Sequence, residues 1–138
     1  MDAGYSGTPQ LRKLGIRPDV RWALDDAPAG WRFEAAPDAT ARVGDTDPAD
    51  VVLAFVRTAT GILSAIQRSE RRIFPAGALW IAWPRKAAGH ASDVTENDIR
   101  DTALARGLVD VKVAAIDTDW SGLKLVWRRE NRVVPPVG

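Results

Sequence analysis

The chain has 138 residues, 46% hydrophobic and 27% charged, a composition that suits one globular domain with a single core. Its 19 basic and 18 acidic side chains leave a net charge of +1, so no net field exists to hold a polyanion and nucleic-acid binding is not expected. The absence of cysteine excludes disulfides, thiolate metal sites and cysteine nucleophiles. No apolar run approaches the roughly 20 residues of a membrane span. Residues 1–10 lack the basic start and apolar stretch of a secretion signal, so a cytoplasmic protein with no membrane partner is expected.

Residues 1–19 are punctuated by Gly4, Gly7, Pro9, Gly15 and Pro18 and read as irregular, apart from a helical turn over 9–14. Alternation of Val20, Trp22 and Leu24 predicts a first strand, followed by a loop from Asp25 to Gly30. Residues 30–36 read equally as strand or short helix, and 41–43 as a brief edge strand. The unbroken run Val51 to Val56 predicts a strand covered on both faces, where no polar side chain is tolerated. Thr58 or Thr60 is expected to cap the next helix, with Ile62, Leu63, Ile66 and Ile73 along its buried stripe. Arg68, Arg71 and Arg72 fall toward its carboxyl end, where they favour the helix dipole.

Ala78 to Trp83 predicts a second buried strand, stopped by Pro84. Trp80 and Trp83 are separated by an odd number and should face opposite sides. After a polar loop over 85–93, Thr95 and Asp98 form a capping-box pattern, with Val94 and Ile99 at staple positions. Ile99, Ala103 and Leu104 should face inward, and Gly107 should supply a left-handed cap. Val109 to Ile116 predicts a third strong strand, Trp120-Ser121-Gly122 a turn, and Leu123 to Trp127 a fourth strand. Residues 1–130 then form one domain and 131–138 a frayed tail. Strand–helix–strand units require right-handed crossovers and a parallel sheet. The expected fold is a three-layer, Rossmann-like α/β domain, mostly parallel, with a C-terminal antiparallel hairpin.

Three stretches carry a family resemblance. They are Gly4-Tyr5-Ser6-Gly7-Thr8-Pro9 with Leu14-Gly15-Ile16, then Gly77 to Lys86 (GALWIAWPRK), then Gly107 to Val113 (GLVDVKV) with Trp120-Ser121-Gly122-Leu123-Lys124. Together they resemble domain-of-unknown-function family 3052, an uncharacterised bacterial family, from Gly4 to about Arg129. The resemblance brings no established activity. In layout the chain is also similar to the C-terminal half of S-adenosylmethionine-dependent methyltransferases, a likeness that does not fix function. It departs from them at the first loop. Dinucleotide and methyl-donor sites of this architecture use a glycine-rich turn there, whereas Asp25-Asp26-Ala27-Pro28-Ala29-Gly30 has one glycine and opens with two carboxylates.

Ligands of open α/β sheets bind outside the carboxyl ends of the strands. That rule nominates Asp25, Asp26, Arg57, Thr58, Trp83, Arg85, Lys86, Trp120 and Ser121. Tyr5, Ser6 and Thr8 join them if the leader folds over the strand ends. No catalytic residue and no metal site is identified: His90 is the only histidine, and no ligand spacing or Gly-x-Ser-x-Gly elbow is present. No cofactor is expected, with S-adenosylmethionine the one left open. The preferred expectation is a non-catalytic small-molecule-binding or interaction module on a reduced methyltransferase-like scaffold. The alternatives are a divergent methyltransferase and a homodimeric partner-binding protein that uses exposed tryptophans.

Overall fold

The computed structural model describes residues 8–133 of the chain. In chain order the elements are α1 (Gln10–Leu14), β1 (Trp22–Asp25), β2 (Val51–Phe55), α2 (Ile62–Ser69), β3 (Ala78–Pro84), α3 (Glu96–Ala105), β4 (Leu108–Ala115) and β5 (Trp120–Trp127). The strands form one sheet in the order β1-β2-β3-β5-β4. β1 pairs parallel with β2, and β2 with β3, in the register Val51↔Ala78 to Phe55↔Ala82. The two apolar runs therefore lie side by side and point the same way, and every residue of β2 is buried.

β5 runs against both of its neighbours, β3 and β4. The expected reversal at the chain's end is present. Half of the pairings are antiparallel, however, because the last strand inserts between β3 and β4 instead of adding at the edge. The sheet is mixed to that extent.

One face is covered by α2 and α3, whose Ile62, Ala65, Ile66, Ile99 and Ala103 pack on Val52, Ala54, Leu79, Ile81, Leu123 and Leu125. The other face carries Trp22, Val51, Leu53, Phe55, Trp80 and Ala82 under α1 and the irregular stretch containing Trp31 and Phe33. Trp80 and Trp83 do fall on opposite sides. This second outer layer is thinner than three full layers, because Gly15 at φ 80° ends α1 after five residues and residues 26–41 contain no α-helix or strand.

Several local expectations are corrected. Leu63 and Leu104 are 45% and 41% exposed, since α2 and α3 each present a narrow apolar stripe and these two lie at its border. α2 ends at Ser69, so Arg71 and Arg72 lie beyond it. Arg72 is buried and donates to the carbonyls of Asp47 and Gly44, tying down the approach to β2. Neither Thr58 nor Thr60 caps α2, whose N-cap is Gly61; their hydroxyls bond each other at 3.1 Å. Trp120-Ser121-Gly122 opens β5 and is not a turn. The turn lies at 117–119, where the Asp117 carboxylate accepts from the amides of Asp119 and Trp120 at 2.8 and 2.9 Å. The stretch 30–36 is neither strand nor helix, and the edge strand at 41–43 reduces to one bridge, Trp22↔Arg42.

Leu104 aside, the ends and the buried face of α3 form as the sequence predicts. Thr95 Oγ1 accepts from the Asp98 amide at 3.1 Å, Val94 and Ile99 are buried together, and Gly107 has φ 88°. Asn131, read as the start of a tail, donates from its side chain to the Gly107 carbonyl at 3.1 Å. Among the described residues no helix is long and apolar enough to cross a membrane.

Candidate functional site

The carboxyl ends of β1, β2 and β3 open on one edge of the sheet, and the hairpin turn between β4 and β5 meets them there through Pro84↔Trp120. Most of the nominated residues lie on this edge. Tyr5 and Ser6 lie outside the described residues; Thr8 is half-buried one residue before the Pro9 cap of α1.

All the nominated charged groups but Lys86 are partnered within the molecule. Asp25, last residue of β1, receives a two-point contact from Arg68 of α2, with Nη2 donating at 2.8 Å and Nε at 3.2 Å. Asp26 follows in the left-handed region at φ 57°, a conformation Asp tolerates better than most residues. Its carboxylate and carbonyl accept from the Arg57 guanidinium at 3.0 and 2.9 Å. The same guanidinium lies 6.0 Å from the Trp120 ring centre. Arg85 donates to the carbonyls of Asp117 and Thr118 at 3.3 Å, and its amide donates to the Asp119 carbonyl at 2.8 Å. Lys86 is exposed at the start of a single 3-10 turn.

Two nominations are displaced. Trp83 belongs to the core under the helices, because its parity in β3 turns it away from the α1 face. Ser121 pairs with it and shares that side. Trp120, paired with Pro84, belongs to the opposite cluster.

The floor of the edge is aromatic. Trp22 and Phe33, Phe33 and Trp31, Trp31 and Phe55, and Phe55 and Trp120 meet edge-to-face with centroids 4.9 to 5.4 Å apart. Asp117 holds this row by accepting from Trp31 Nε1 at 2.9 Å. Buried Gln10 ties it to α1, donating to the Ile116 carbonyl at 2.7 Å and accepting from the Glu34 amide at 2.8 Å. Arg68, Asp117 and Gln10 were not nominated. The Asp-Thr-Asp turn sequence was a usable signal for Asp117. Arg68 and Gln10 carry none, since each acts on a residue 43 or more positions away. His90 bonds Asp119 through Nε2 at 2.9 Å, with both side chains exposed. No cluster of metal-binding side chains occurs among the described residues.

A parallel β1-β2-β3 core inside a mixed five-stranded sheet makes this a Rossmann-like α/β protein. The chain belongs to the family described as protein of unknown function (DUF3052), whose model matches residues 36–129. The leader motif at Gly4 to Ile16 precedes the matched stretch, which is shorter than the resemblance suggested. No curated protein matches the sequence. Among solved structures, a protein in the NADB-Rossmann superfamily from Streptococcus agalactiae aligns with TM-score 0.51 and 11% identity, covering 92% of this chain and 70% of that one. The magnesium protoporphyrin IX methyltransferase of Synechocystis PCC 6803, solved with bound SAM, aligns with TM-score 0.38 and 16% identity over 59% of this chain and 40% of that one. A Bacillus subtilis tRNA methyltransferase aligns with TM-score 0.39 and 11% identity over 58% and 32%. The chain thus spans less than half the length of either methyltransferase.

Proposed function

We propose that this protein is a non-catalytic binding module that takes a small molecule over the carboxyl ends of β1, β2 and β3. The observation that supports this reading is the mutual neutralisation of the acidic pair: Asp25 is held by Arg68 and Asp26 by Arg57, two guanidinia from different segments. A carboxylate already accepting from a guanidinium exchanges one partner for another when a ligand arrives, so it contributes little net affinity and no free base. What the edge offers a ligand is the half-buried indoles of Trp31 and Trp120, with Arg57 beside the second.

Incubation with a labelled methyl donor and a cell extract tests the reading, together with a thermal-shift screen of small molecules. The expected result is no methyl transfer, and a ligand that quenches tryptophan fluorescence and is lost in Trp120→Ala. Methyl transfer that disappears in Asp25→Asn would replace this reading with that of a divergent methyltransferase.

A further inference from the structure

At the opposite edge of the sheet, a cleft of about 680 Å³ opens between the α1–β1 connection and the amino ends of β2 and β3. Its lining includes apolar Leu14, Val20, Val51 and Val126, the acidic Asp19 and Asp50, and the basic Arg17 and Lys124, the last on β5. The volume lies within the usual range for small-molecule sites.

Lys124 is the unusual member. The register sets it directly opposite Lys112 of β4 and beside Trp80 of β3. Like charges opposed across an antiparallel pair are destabilising. Lys112 has an outlet: its ammonium donates to the Lys13 carbonyl at 3.3 Å and lies 5.9 Å from the Trp80 ring centre. Lys124 is half-buried, and no acceptor reaches it among the described residues. Desolvation, and then the charge of Lys112, depress its pKa below the ordinary lysine value. The fold keeps this ammonium in a cleft with no carboxylate among the described residues in hydrogen-bond contact with it, and a ligand can supply one.

The rest of the lining decides what kind. Asp19 and Asp50 offset Arg17 and Lys124, so the lining has no excess of positive charge for a polyphosphate, and Asp50 is engaged by Arg21 at 3.1 Å. One negative charge on an apolar body meets Lys124 and the aliphatic wall together. We propose that this cleft binds a monocarboxylic acid with an apolar body, its carboxylate on Lys124 Nζ and its hydrocarbon against Leu14, Val20, Val51 and Val126.

Calorimetry on the full chain with 3-phenylpropionate, its neutral amide and inorganic phosphate tests the assignment. The acid should bind and raise Tm, the amide should bind at least about tenfold more weakly, and phosphate should give no heat, as expected for one charge-assisted contact. Lys124→Met should lose at least about tenfold in affinity for the acid while melting no lower than the parent, and Lys124→Arg should retain binding. Equal binding of acid and amide, undiminished binding by Lys124→Met, tighter binding of phosphate, or no acid binding up to about 10 mM would each overturn the proposal. Arg57→Ala, at the other edge, should leave acid binding unchanged, so failure here is separable from failure of the strand-end reading.

Discussion

Gly77 stands at the start of β3 where a Cβ would come within 2.9 Å of the carbonyl oxygens of Asp50 and Ile73 and 3.0 Å of that of Ala49. All three are backbone atoms, so no side chain can rotate away. Gly77→Ala is expected to cost about 2 kcal/mol or more, read as a lowered denaturation midpoint at unchanged slope. Two ionisable residues make predictions at opposite ends of the pH range. Asp50 titrates below its ordinary value of 3.8, chiefly through its hydrogen bond from Arg21. Its stabilisation is present above the unfolded pKa and is lost as pH falls through the folded one. Asp50→Asn should therefore flatten the acid limb of the stability profile. Lys124 titrates below its ordinary 10.5, so the folded chain holds that proton less firmly than the unfolded chain. Stability should rise with pH from the lowered value toward 10.5, and Lys124→Met should remove that slope in denaturant melts.

The helices divide by whether their chemistry is local. In α3 the Thr95 cap, the Val94–Ile99 contact and Gly107 all lie within a few residues of the segment they define, so the sequence announces them. Thr95→Ala should cost about 1 kcal/mol. α1 is different. Its five residues are too few to be stable alone. They are fixed by long-range contacts: Trp80 Nε1 donates to the Leu14 carbonyl at 3.1 Å, and Gln10 bridges residues 34 and 116. Gln10→Ala would remove both of those hydrogen bonds. It should cost about 1–3 kcal/mol and speed proteolytic cleavage between residues 29 and 36. The periodicity of α2 was readable, but its borders were not, because Leu63 and Ile73 suit the pattern and only tertiary packing exposes one and buries the other.

The parallel core followed from two apolar runs and the rule for crossovers, while the proposed ligand edge rests on the separate strand-end rule for open α/β sheets. Less accessible were the pairings that cross the molecule. Asp25 and Asp26 read as a free acidic pair because Arg68 lies 43 and Arg57 31 positions downstream of its partner. The Lys112–Lys124 opposition depends on a bulge between Asp110 and Lys112 that no local signal marks. β5 has the widest reach. It bridges β3 and β4, so β4 meets the rest of the sheet only through a strand made after it. During synthesis the emerging polypeptide must carry β3 with one bare side until residues 120–127 leave the ribosome. That side belongs to the unbroken apolar row Ala78 to Trp83, which stays open to mispairing with other strands until β5 has emerged.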